Sequence, residues 1–143
     1  MIQKVAFYSN ALLVLTSIHH AYGAFVYDTP WRFNILYFSI PIIILNIIVQ
    51  QKISTKKVVK YLFWISNLVF TVSQIGLFEG MYNHLIKNVL FFAGTHQTLL
   101  NQLFPPDTYF MPNNLFFEVT GILQALLCMP LIYYCFLSLN KNS

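Results

Sequence analysis

Four histidines (His19, His20, His84 and His96) and four acids (Asp28, Glu79, Asp107 and Glu118) carry most of the metal-binding and proton-transfer chemistry open to this chain. Imidazole nitrogens and carboxylate oxygens are donors that hold zinc, iron or copper. Their spacing is not that of a single-helix motif. Neither HxxxH nor ExxH occurs, so no such pair shares one face of one helix. Adjacent His19 and His20 diverge by about 100° on a helix, so they cannot point equally well at one atom. A site must be assembled from several elements. The expected ligand-binding set is His19, His20, Glu79, His96 and Glu118, with His19, His20, His96 and Glu79 as metal ligands. Two histidines seated in a helix bundle would also suit a non-covalent haem; covalent haem needs a CxxCH that the chain lacks. No residue is assigned a catalytic role.

Each of these residues also has a local, structural reading. Glu118 falls in the first turn of the last expected helix, where a negative charge suits the dipole. Glu79 sits at the end of a helix, the wrong pole for a carboxylate, and needs a partner: Arg32, Lys87 or a cation. His96 lies on an apolar stripe and is expected to be buried, facing the membrane core or the pocket of His19 and His20. His84 lies on a polar face with Lys87 and is expected to face solvent.

The elements that must position these groups follow from composition. Of the 143 residues, 57% are hydrophobic and only 8% charged. An ordinary soluble domain carries about 25% charged residues, so lipid is the solvent that suits this chain. Charge-free windows of 23, 19, 18 and 22 residues lie between Lys4 and Asp28, Arg32 and Lys52, Lys60 and Glu79, and Glu118 and Lys141. Crossing the hydrocarbon takes about 20 apolar residues. The expected architecture is a single all-α membrane domain over 1–143. It is a four-helix bundle with spans at about 5–27, 31–51, 58–79 and 115–139. Met81, Leu85, Val89, Phe92, His96, Leu99 and Leu103 share one side of a further, amphipathic helix at about 81–104. It is placed on the outer surface, before the last span.

Turns and breakers punctuate these elements. Asp28 or Thr29 can cap the second helix, with Pro30 at its first position. Pro41 is expected to kink that helix. Glycines 76 and 80 are expected to loosen the third. "LFPPDTYFMP" must break the chain, and Asn113 or Asn114 caps the last helix, which contains Pro130. Asn67, Thr71 and Gln74 form a polar stripe on the third helix, as do Ser39, Asn46 and Gln50 on the second, and Gln124 with Cys128 on the last. These stripes suit interhelical hydrogen bonds or a polar cavity. Cys128 and Cys135, on one face of one helix roughly 10 Å apart, cannot bridge each other.

The positive-inside rule orients the bundle. With both termini cytoplasmic, Lys4, Lys52, Lys56, Lys57, Lys60 and Lys141 lie inside, and Arg32 and Lys87 outside. All four histidines and all four acids then fall in the outer half. A bacterial inner membrane is the expected location. The rival for the first segment is a signal peptide, with "AYGA" at 21–24 as its cleavage site.

Nothing supports soluble enzyme chemistry: there is no Gly-rich phosphate loop, GxSxG or kinase pattern. Basic residues are too few and scattered for nucleic acid. The leading expectation is an outer-facing His/Glu cluster binding a metal ion or small ligand, in transport, sensing or a membrane redox step. The alternatives are a structural or assembly subunit that binds partner membrane helices or its own copies, and a membrane enzyme acting on a lipid-like substrate.

Overall fold

A computed structural model describes residues 1–51, 56–106 and 108–140. The expectations for Lys52, Asp107 and Lys141 lie outside the described residues. The fold is all-helical, with no strand among the described residues. Helix α1 spans Ile2–Val26. A 3-10 turn, Pro30–Asn34, leads into α2, Ile35–Gln50. Helix α3 runs without interruption over Lys57–Phe92. A short α4, Gln97–Leu103, and a long α5, Leu115–Asn140, complete the chain. Helix α1 packs on α5, α2 and α3, and the most extensive interface joins α3 to α5.

Three stretches, Pro30–Gln50, Lys57–Phe92 and Leu115–Asn140, are long and apolar enough to cross a membrane. Helix α1, with 25 residues, has the length but is less apolar. Gln3, Lys4, Asn10, His19 and His20 dilute its leucines and valines. Large apolar side chains face outward, among them Phe25 (80% exposed), Phe92 (75%) and Leu115 (82%), while Ser9, Thr16, His19, Ser39, Asn46, Asn67, Thr71 and Gln124 are fully buried. This inverts the usual distribution of a soluble domain.

The sequence expectation errs most at the end of α3. The chain does not break at Gly80, and no separate helix covers 81–104. Glycines 76 and 80 mark the closest approach of α3 to α5. A Cβ on Gly76 would strike the Cys128 side chain, and one on Gly80 the backbone of Gln124 and Ala125. They are contact points rather than loosened joints. The helix ends instead at Phe92, where Gly94 takes a left-handed φ of +76° and its N–H donates to the Phe91 carbonyl.

Over Ser66–Ile86 the turns of α3 are π-helical. The buried residues Asn67, Thr71, Ile75, Gly76, Gly80, Asn83, His84, Lys87 and Asn88 therefore recur every four to five positions. Asn67 and Thr71 are buried as expected. Gln74 is exposed, because the wider turn carries it off the stripe. Helices α2 and α5 continue across Pro41 and Pro130 without a break in the helix.

The turn at 28–32 also differs in detail. Asp28 adopts a left-handed φ of +50°, a conformation that Asp tolerates better than most residues. Neither Asp28 nor Thr29 caps α2 by its side chain. Thr29 Oγ1 donates to the Gly23 carbonyl and accepts from Arg32 Nε at 2.9 Å, and Pro30 opens the turn. Asn114 does cap α5: its Oδ1 accepts from the Phe117 N–H at 3.0 Å.

Candidate metal centre

At the end of the bundle where α1 and α3 finish and α5 starts, three imidazoles surround one carboxylate. Glu79 Oε1 lies 3.6 Å from His19 Nε2, 3.7 Å from His20 Nε2 and 3.5 Å from His84 Nε2. The ligand atoms of His19, His20 and Glu79 all fall within 4.8 Å of one another. These separations are long for N–H···O hydrogen bonds, which cluster at about 2.7–3.2 Å. They are close to the ~3.4 Å that separates neighbouring ligands when four atoms sit tetrahedrally at ~2.0–2.1 Å from an ion.

The outward-facing hydrogen bonds fix which ring nitrogens carry protons. His19 Nδ1 lies 2.9 Å from Thr120 Oγ1, and that hydroxyl gives its proton to the Phe116 carbonyl at 2.8 Å. The Thr120 oxygen therefore accepts from His19 Nδ1–H, and the neutral ring turns a bare Nε2 toward Glu79. His84 Nδ1 lies 2.8 Å from Glu118 Oε2. An ionised carboxylate can only accept, so Nδ1 again carries the proton and the neutral ring presents a bare Nε2. His19 Nε2 is buried and has no hydrogen-bond partner. With both rings neutral, the His19 and His84 Nε2 lone pairs face the Glu79 carboxylate. A cation, either a metal ion or a proton shared with Glu79, relieves that arrangement.

A second layer holds these groups. Glu79 Oε2 accepts from Asn83 Nδ2 at 2.8 Å. Glu118 accepts from Asn88 Nδ2 at 2.5 Å and from Lys87 Nζ at 3.2 Å, and Lys87 Nζ also donates to the Phe110 carbonyl at 2.6 Å. The Phe117 ring stacks on His19, centroids 4.1 Å apart, and meets His84 edge-on. A Cβ at Gly121 would overlap the His84 imidazole, so only glycine leaves room for that ring. Gly23 likewise makes room for Phe117.

Beside the cluster lies a cavity of about 300 Å³, lined by His20, Glu79 and His84 together with Trp31, Arg32, Phe78, Asn83, Lys87, Thr108, Tyr109, Phe110 and Phe117. Burial, with Tyr82 and Glu79 nearby, raises the pKa of the Tyr109 hydroxyl above its ordinary value, so Tyr109 is a neutral donor in this wall.

The structure brings together His19, His20 and Glu79 of the expected set, with Glu118 one layer out, bonded to a ligand rather than lining the centre. His96 does not join them. It is exposed and caps α4, its Nδ1 accepting from the Thr98 N–H at 3.3 Å. The turn at Gly94 takes it off the α3 axis, so the apolar stripe it was read on does not exist as one face. His84 takes the place expected of His96. Far from facing solvent, it is 2% exposed. The polar face of 81–92 is the buried one, because His84, Lys87 and Asn88 turn inward to Glu118 on α5. The legible signal was the run "EGMYNHLIKN", with Glu79, Asn83, His84, Lys87 and Asn88 recurring every few residues. Arg32 and Lys87 do not pair with Glu79; Lys87 pairs with Glu118.

No family model, no curated protein and no solved structure matches this chain.

Proposed function

We propose that this chain is a membrane protein of four spans that binds a divalent transition-metal ion through His19 Nε2, His20 Nε2, His84 Nε2 and Glu79 Oε1. The observation that carries the reading is the approach of the His19 and His84 Nε2 atoms to the Glu79 oxygen at 3.5–3.6 Å, each ring being held by a hydrogen bond on its other nitrogen. Three imidazoles and one carboxylate suit zinc, iron(II) or copper(II). The His84–Glu118 and His19–Thr120 bonds are the kind of outer support that orients ligating histidines and raises their basicity. The open side of the ion would face the cavity, so the centre serves ligand capture, transport, sensing or a redox step rather than fold stability alone.

The membrane reading rests on the three apolar stretches and on the outward girdle of Phe25, Phe92 and Leu115. Helix α1 is the fourth span: Phe7, Val14, Ile18 and Phe25 face outward while Ser9, Thr16 and His19 face in. The excess of lysines at the opposite end of the bundle, Lys4, Lys56, Lys57 and Lys60, supports an orientation with both termini cytoplasmic and the metal centre on the outer side; a bacterial inner membrane is the proposed location.

The test is metal analysis of the full chain purified in detergent and loaded with zinc or cobalt(II). One ion per chain is expected, with loss of binding in Glu79→Ala. Chelation should lower the thermal unfolding midpoint and re-addition should restore it, since an ion bound to the folded state alone stabilises it by mass action. Substoichiometric metal, or uptake indifferent to Glu79→Ala, would sink the reading.

A further inference from the structure

We propose that the cavity beside the metal centre binds an anionic amphiphile, a carboxylate with an apolar body. Its head is shared between Arg32 and the metal ion, and its body lies against Trp31, Phe78 and Phe117. The inference rests on the metal reading for one of its two positive charges. Arg32 supplies the other.

Arg32 is 7% exposed. Its Nε is taken by Thr29 Oγ1. Among the described residues no carboxylate lies within ion-pair distance of it. Its guanidinium is held instead against aromatic faces, 5.1 Å from the Trp31 centroid and 5.2 Å from that of Phe117. A buried charge normally has a counter-charge, because desolvating it alone is costly. Lys87, the other cation of the wall, is already engaged by Glu118 and the Phe110 carbonyl. Arg32 is therefore the wall cation with a planar pair of donors still to offer, and that fork matches a carboxylate.

Glu79 alone would repel an anion. Ringed by three imidazoles and a divalent ion, its charge is outweighed, and the cavity is left with a net positive field. Around this head the wall is aromatic. At about 300 Å³ the space is at the small end of ligand sites. Trp31, Phe78 and Phe117 give it an apolar slot, which selects against small hydrated anions.

The experiment titrates the metal-loaded full chain in lipid nanodiscs, following heat and the visible spectrum of the cobalt(II) form. Metal content is measured on the same samples. Phenylacetate probes a ligand arriving from water, and oleate one arriving from the bilayer. At least one should bind at one per chain and perturb the cobalt bands. Phenylacetamide, which keeps the body and removes the charge, should bind roughly 10- to 100-fold more weakly than phenylacetate, the range for a hydrogen bond to a charged group. Arg32→Gln should cost a similar factor and Arg32→Lys less, with metal content unchanged in both. Binding of phenylacetate alone assigns the ligand to the aqueous side, and of oleate alone to the lipid. Equal binding of phenylacetate and phenylacetamide overturns the proposal, and that comparison needs no variant to fold. So does a metal-loaded chain that binds neither acid. Arg32-dependent binding to a chain that takes up no metal would overturn the metal reading and leave the Arg32 subsite standing.

Discussion

Two buried polar regions lie along the same bundle, and they are built on opposite plans. In the lysine half, Asn46 Nδ2 donates to Ser9 Oγ at 2.9 Å and to Asn10 Oδ1 at 2.8 Å, while its Oδ1 accepts from Asn67 Nδ2 at 2.8 Å. Ser9 reaches Thr71 at 3.5 Å. Every member is neutral, and Asn46 satisfies both ends of its amide on α1 and α3, while Asn67 Oδ1 is left without a partner. In the other half the groups are ionisable, and their strongest bonds point away from the centre, toward Thr120, Glu118 and Asn83. What is left in the middle is the Glu79 carboxylate, with three imidazole Nε2 atoms at 3.5–3.7 Å. The bonds of the first region run between helices and hold α1, α2 and α3 together. Those of the second run outward, as the proposed ion would require. Burial and polarity alone do not separate the two; the direction of the hydrogen bonds does.

Three substitutions distinguish the two regions. The largest effect is expected from Glu118→Gln, which keeps the shape but weakens the acceptor of His84 Nδ1–H and leaves Lys87 without its counter-charge. Metal affinity, read by chelator competition, should fall about 10- to 100-fold, the usual effect of losing such an outer-layer partner. An unchanged affinity would mean that Glu118 only satisfies the α5 dipole. Next comes Asn46→Ala. It removes three interhelical hydrogen bonds; at an average of about 0.6 kcal/mol each within membranes, unfolding should become easier by about 1–2 kcal/mol, with metal affinity intact. If metal binding collapsed as well, the two regions would be one unit and the contrast would dissolve. The smallest effect belongs to His96→Ala. An exposed substitution of this kind is expected to stay within about 0.5 kcal/mol in stability, with no change in metal content. A drop in metal content would show that His96 belongs to the centre after all.

Much of the fold was legible because long apolar helices leave a plain trace: long uncharged windows, started at Pro30 and Asn114 and bounded by charged residues. His19, His20 and Glu79 stood out because ionisable side chains are rare in such windows. What failed was the reading of 81–96. Over 81–92 the polar and apolar faces were correctly separated but assigned to the wrong sides, and past Gly94 the single stripe ends. An amphipathic helix at a water interface turns His84 and Lys87 outward; the same residues in a continuation of α3 turn inward, to Glu118. Sequence periodicity reports two faces and not what lies against each. Gly80 compounded the error, since a glycine in a helix reads equally as a break or as a point of close approach. At Gly80 the structure decides for close approach, since the Gln124–Ala125 backbone occupies the room a methyl group would need.

The π-helical course of α3 also bears on how this chain can vary. Asn67 and Thr71 serve one polar region, and Glu79, Asn83, His84, Lys87 and Asn88 the other, all on a single uninterrupted rod. Inserting or deleting one residue between Thr71 and Glu79 would turn everything beyond it by roughly a quarter of a turn, swinging one of the two sets toward the outside of the bundle. Segment length there is fixed more tightly than residue identity. Tyr37 or Leu115, on the outward face, can be exchanged for other apolar side chains at small cost, whereas α3 tolerates no change of register.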